Sequence, residues 1–391
     1  MPGNSSPSTA MGSPSEPAES SWRAPGRVNL IGEHTDYNEG FCLPLGIPFG
    51  CTATVSPLSE PVLEVVSAQQ QAPVEIALTD LRPGVLTGAD AWAGYAAGVA
   101  WAIAERGHRL PGLSISLDGD VPLGAGLSSS AALECSVAAA LADQLGLSLQ
   151  RSELVALARQ AENDFVGAPT GGMDQLASVF AEPDRVLLCD MRSLSVEPVP
   201  FDPVAAGLSL LVIDTRAPHQ LTDGSYGERR SACEQAARLL GVPALRDVDL
   251  EGLPEALDRL PDDTLRRRAR HVITENDRTL ACADLLRTGQ LSRIGPLLTA
   301  SHASLRDDFE VSIPELDLAV EVLLAFGAVG ARMTGGGFGG CVIALMDPAQ
   351  ARAGTLAVQA AFAGRGYAEP AGFTVTAAAG VHRLPCTGFA G

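Results

Sequence analysis

The chain has 391 residues, with 46 acidic against 27 basic side chains, a formal net charge of −19, and arginine as its only basic residue type apart from six histidines. Without lysine it has no Walker-A amine, no protein-kinase ion pair and no Schiff base. The acidic excess repels phosphate backbones and anionic bilayers, so small molecules rather than nucleic acid or membrane are the expected partners.

Residues 1–21, MPGNSSPSTAMGSPSEPAESS, have neither the basic start nor the apolar stretch of a signal peptide and read as a disordered tail. After them, residues 22–196 are expected to form one domain and 197–391 a second. In the first, 49–57, 62–67, 74–78 and 113–117 read as strands, and 90–106, 130–145 and 148–163 as helices. The stretch SVEPVPFDPVA from 195 to 205 holds three prolines, which disfavour helix and central strand, and marks the boundary. Beyond it, 208–214 and 341–346 read as strands, and 226–241, 265–288 and 316–326 as helices. Both halves therefore mix α and β. The eight cysteines form no CxxC pair, so neither a zinc site nor a dithiol motif is supported. Scattered thiols suit a reducing cytoplasm, where the chain is expected to act as a monomer. The arginines at 266, 267, 268 and 270, interleaved with acidic neighbours, read as a solvated helix face.

The most informative stretch is Val121 to Ser136, VPLGAGLSSSAALECS, a glycine-rich turn that feeds small hydroxyl residues into an alanine-rich helix. Gly124 and Gly126 let backbone approach an anion, and the amides and positive dipole end of the helix receive it. No lysine precedes the final serine, so a phosphate here must be held without that cation. A bare GxG is most often a turn with serine N-caps. The full pattern PxGxGLSSSA is more specific.

That pattern resembles the phosphate loop of the GHMP small-molecule kinases. Gly171-Gly172-Met173-Asp174-Gln175 is similar to their central acidic motif, and Met333 to Gly340, MTGGGFGG, to their carboxy-terminal glycine loop. Ala24 to Gly46, APGRVNLIGEHTDYNEGFCLPLG, and Asp214 to Cys233 narrow the resemblance to the galactokinase branch. The resemblance implies an α+β, two-domain GHMP kinase fold with mixed sheets and the active site in the interdomain cleft. It implies transfer of the γ-phosphoryl group of ATP to the anomeric hydroxyl of α-D-galactose, with Mg2+ required. A GHMP kinase for another sugar, such as arabinose or N-acetylgalactosamine, and a non-catalytic galactose and ATP sensor are the alternatives.

Carried over residue by residue, the resemblance implies that Glu33, His34, Thr35, Asp36, Gly172, Asp174 and Tyr226 hold the sugar. Gly124, Ala125, Gly126, Leu127, Ser128, Ser129 and Ser130 would cradle the triphosphate, with Ser67, Trp92 and Tyr95 near the nucleotide. Aromatic residues three apart on a helix, as Trp92 and Tyr95 are, are more often core than a base-stacking platform. Ser130 and Glu162 would bind magnesium. Asp174 and Arg27 are the pair expected at the chemical step, the carboxylate as base and the arginine on the transferring phosphoryl group; a structural ion pair is the other reading.

Overall fold

The computed structural model describes residues 20–122, 124–168, 170–217 and 225–385; residues 1–19, the bulk of the expected tail, lie outside it. Ser20 and Ser21 open strand β1 (Ser20–Asn29). The chain then turns into β2 (Phe41–Cys42), β3 (Pro44–Leu58), β4 (Val62–Ser67) and β5 (Val74–Ala77). Helix α1 (Gly94–Glu105) carries it across to β6 (Gly112–Gly119), which pairs parallel to β4. Helices α2 (Ser129–Gln144), α3 (Arg151–Gln160) and α4 (Met173–Phe180) follow, then β7 (Arg185–Asp190) and β8 (Ser195–Pro200). The proline-rich stretch does form a strand, but at the edge of the three-stranded sheet β2-β7-β8, where a missing N–H interrupts no further pairing.

Strand β9 (Ser209–Asp214) begins the second half, followed by α5 (Ser225–Leu240), α6 (Leu253–Arg259), α7 (Asp263–Arg287), α8 (Gly295–Ser304) and α9 (Pro314–Ala325). Strands β10 (Gly330–Thr334) and β11 (Cys341–Met346), helix α10 (Pro348–Arg365) and strand β12 (Ala371–Val375) complete a sheet of order β10-β11-β9-β12. The last strand, β13 (His382–Arg383), returns to pair with β1 in the six-stranded sheet β13-β1-β3-β6-β4-β5.

Alternation explains why β9 and β11 are apolar on both faces. Leu210, Val212, Cys341, Ile343 and Leu345 point into one core, shared with the six-stranded sheet, while Leu211, Ile213, Val342, Ala344 and Met346 point into the other, under the helices of the second half. Helix α2 is buried nearly all round; its alanines let it lie close on β1 and β3.

Of the four clustered arginines, Arg266, Arg267 and Arg270 keep part of the expected solvated face, and Arg268 alone departs from it. Arg268 is 3% exposed and donates to the Asp308 carbonyl and, at 2.6 Å, to Glu310 Oε2, while Arg270 pairs with Asp308 at 2.9 Å. A π-helical turn, Leu305–Phe309, carries these acceptors onto α7. Buried arginine is tolerated because its charge is paired there.

Candidate active site

One cavity of about 480 Å³ is lined by the phosphate-loop residues Gly124, Gly126 and Leu127 to Ser130, by Asp174 and Glu162, and by Glu33, His34, Asp36 and Tyr226 from more distant parts of the chain. Gly124 and Gly126 adopt φ of +72° and +71°, as the tight turn into α2 requires. Ser128, at φ +59°, occupies the N-cap position of α2 without a side-chain cap bond. Its hydroxyl donates instead to Asp174 Oδ2. The first amides of α2 are thus not consumed by the cap serine, the arrangement an incoming anion needs.

Asp174 opens α4, where a carboxylate gains from the helix dipole. Arg27 grips it with two parallel bonds, Nε to Oδ1 at 2.8 Å and Nη2 to Oδ2 at 3.0 Å, and spends Nη1 on the Gly126 carbonyl at 2.6 Å. One arginine thereby locks the acidic motif to the phosphate loop. Gly171 opens this motif as a glycine because the Asp36 carboxylate occupies the space a Cβ would need. Burial and the neighbouring Asp174 push the Asp36 carboxyl up to about 6.

His34 stands at φ +62°, rare for a side-chain-bearing residue. Its Nε2 is 3.2 Å from the Gly336 carbonyl, which can only accept, so Nε2 carries the proton and Nδ1 accepts from the Tyr37 hydroxyl at 2.8 Å. Burial, with His271 and two arginines nearby, lowers its pKa to about 3, so the ring is neutral. Tyr226 packs against both His34 and Tyr37, at ring separations of 5.6 and 5.3 Å. Glu33 is anchored through Oε1 by the Gly335 N–H at 2.8 Å and by Arg332 Nη1 at 3.4 Å.

Glu162 does not end an ordinary helix. Helix α3 stops at Gln160, and a π-helical turn, Ala161–Val166, swings the carboxylate inward, to 5% exposure. Its Oε2 accepts from Thr170 Oγ1 and Gln175 Nε2, both at 2.7 Å, leaving Oε1 beside Ser130 Oγ at 3.0 Å. Two oxygens in adjacent positions of an octahedral magnesium, each about 2.1 Å from the ion, lie about 3 Å apart, so the pair fits that cation.

Not every expected residue reaches the cavity. Ala125 is 1% exposed and packs into the core. Thr35 is fully buried, its hydroxyl 2.7 Å from both the Gly32 and Phe41 carbonyls, and it braces the loop. Ser67 bonds to Gln69 at 3.1 Å, and Trp92 packs against the first core; neither lines the cavity, whereas Tyr95 does. Thr170 and Gln175 were not singled out as functional from sequence, because only folding brings them to Glu162.

Comparison with known proteins shows the family of the chain. The chain is 50% identical to a galactokinase of Streptomyces coelicolor, over 94% of each chain. It belongs to the galactokinase family. A galactokinase of Mycobacterium tuberculosis is 47% identical, with 90% of this chain and 95% of that one covered. Family models match too: the galactokinase galactose-binding signature over residues 9–57, the GHMP kinases N terminal domain over 94–182 and the GHMP kinases C terminal region over 282–364. Among solved structures, Lactococcus lactis galactokinase complexed with galactose superposes with a TM-score of 0.88 at 33% identity, covering 94% of this chain and 95% of that one. Methanococcus jannaschii mevalonate kinase, at 15% identity and a TM-score of 0.64 over 94% of this chain and 100% of its own, shares the fold. In this galactokinase-family chain the signature, phosphate-loop and acidic-motif residues converge on the one cavity.

Proposed function

We infer that the chain is an ATP-dependent sugar kinase that transfers the γ-phosphoryl group of ATP to the anomeric hydroxyl of α-D-galactose, giving galactose 1-phosphate and ADP. The observation that carries this reading is the placement of Asp174 between the phosphate loop, tied to it through Ser128 and Arg27, and the loop that presents His34 and Asp36. Asp36 and Tyr226 supply an acceptor and a donor for ring hydroxyls, with the neutral His34 ring, its two nitrogens already bonded, held beside them, the convergence that separates one sugar from its epimers.

In this reading Asp174 orients the anomeric hydroxyl and takes its proton as that oxygen bonds to phosphorus and the bond to the β-phosphate oxygen breaks, with the electron pair leaving on ADP. Both of its oxygens already accept hydrogen bonds, so it is held in one orientation toward the incoming hydroxyl. A fixed orientation suits a loose transition state, in which positioning rather than strong base catalysis carries the step. Arg27 holds Asp174 in register with the loop. Ser130 and Glu162 would hold magnesium, which when bound supplies the positive charge that this lysine-free loop lacks. Buried free cysteines among the described residues suit the cytoplasmic setting that belongs to this reading, with the protein acting as a monomer.

A panel of free sugars with Mg-ATP, followed by ADP release, tests the reading. Galactose should give the strongest signal and glucose a weak one. Stronger release with arabinose or N-acetylgalactosamine would reassign the sugar, and binding of galactose and ATP without release would make the chain a sensor.

A further inference from the structure

Helix α7 turns a polar face toward the backbone of the loop that carries His34 and Asp36, although more than two hundred residues separate them in sequence. Glu275, 0% exposed, accepts the Gly32 N–H through Oε1 at 3.0 Å and pairs with Arg278 through Oε2 at 2.8 Å. One turn earlier, His271 Nε2 lies 3.1 Å from the Glu33 carbonyl; it must therefore donate, leaving Nδ1 beside Ser304 Oγ at 2.9 Å. Asn276 Oδ1 accepts the Phe41 N–H at 2.9 Å. None of these three side chains lines the cavity.

A buried carboxylate, imidazole and amide cost more free energy than apolar residues of the same volume unless every group is paired. Here each of the three spends a bond on the backbone of a single loop, at its entry (Gly32), at Glu33 just before the strained His34, and at its exit (Phe41), while Asn276 Nδ2 is left without a partner among the described residues. We propose that Glu275, with His271 and Asn276, positions the sugar-binding loop: these residues hold the backbone from Gly32 to Phe41 so that His34 and Asp36 face the substrate, while touching no substrate themselves. The identity of what the loop holds rests on the sugar-kinase reading; the restraint on the loop does not.

Two measurements on the full chain test this. Hydrogen exchange without any ligand should show residues 30–42 exchanging roughly tenfold faster in Glu275→Ala than in wild type, with β3 and β6 unchanged, because a loop anchor has been lost. In steady-state kinetics the same variant should raise KM for galactose about tenfold and KM for ATP less than twofold. Glu275→Gln keeps an oxygen for the Gly32 N–H but loses the Arg278 pair, so it should melt earlier, as Glu275→Ala does, yet recover most of the galactose KM. Should Glu275→Ala fail to fold, Asn276→Ala carries the same expectation for exchange near Phe41 and for the galactose KM. Equal rises in both KM values, equal galactose KM in the Ala and Gln variants, or unchanged loop exchange would overturn the proposal. A wild type inactive on galactose, whose loop nevertheless loosens in Glu275→Ala, would sink the sugar assignment and support the positioning role.

Discussion

Between Gly124 and Ser130 the cavity wall is glycine, small hydroxyls and the open end of α2, and the residues that shape it are neighbours in sequence. Across the cavity, the loop from Ile31 to Gly40 presents long polar side chains, and its shape depends on Glu275, His271 and Asn276 behind it and on Arg332 and Gly335 beside it. In the proposed function the first wall would bind charge with backbone dipoles, which any triphosphate satisfies. The second would read hydroxyl positions, which demands a fixed geometry and hence buried polar support. Generic anion binding is local, and stereochemical recognition is a tertiary property.

Several experiments break or sharpen this contrast. Asp174 belongs to both walls, so Asp174→Asn should show the largest effect: a fall in kcat of roughly 10²-fold or more, the usual scale for a general base, with sugar and nucleotide binding retained by calorimetry. A chemical step within a few-fold of wild type in stopped flow would leave Asp174 as an orienting group only. On the phosphate side, Glu162→Ala should lose most turnover at ordinary magnesium, and Thr170→Val, which removes one donor to Glu162, should raise the magnesium needed for half-maximal rate by about 10-fold. A matching loss at saturating magnesium would point away from the metal.

On the sugar side, burial and the neighbouring Asp174 push the Asp36 carboxyl up to about 6. KM for galactose should rise as pH falls through that value, because the protonated carboxyl is a poorer acceptor, and Asp36→Asn should lack that limb. The same shift has a stability sign. A carboxyl raised above its usual 3.8 costs the folded state at neutral pH and is relieved on acidification. Asp36→Asn should therefore raise Tm at pH 7.5 and do so far less near pH 4.5.

His34 and His271 run the other way. Held neutral, with values lowered to about 3 and about 4 from 6.5, they contribute stability that is lost as pH falls below 6.5, when the unfolded chain takes up protons that the folded chain refuses. Glu275, lowered to about 2 from 4.5 chiefly by Arg278 against the opposing effect of burial, adds a further loss as pH drops below 4.5. Urea unfolding at pH 8, 6 and 5 should show the midpoint falling from pH 6 to 5, and replacing His271 by a neutral residue should flatten that fall. The smallest effect belongs to the cysteines. The seven described thiols are all buried, and burial pushes Cys189 and Cys233 up to about 12. Iodoacetamide under native conditions should leave activity nearly unchanged, and ligand-protected inactivation would place a thiol at the cleft.

Much of this was legible in the amino-acid sequence alone. The phosphate loop, the acidic motif and the sugar signature are short runs whose chemistry depends on near neighbours, and the strongly patterned helices and strands of both halves follow from local periodicity. Even the proline-rich 195–200 segment kept to its rule by taking a sheet edge. What only the tertiary structure decided were partnerships across long separations. Ser128 meets Asp174, Gln175 and Thr170 orient Glu162, and Arg268 is buried against Asp308 and Glu310. Thr35, Ser67 and Trp92, adjacent in sequence to residues that line the cavity or assigned there by resemblance, face elsewhere. The reason is physical: a hydrogen bond between residues 32 and 275 leaves no periodicity in either segment, because its geometry exists only once two sheets and α7 have packed around the loop.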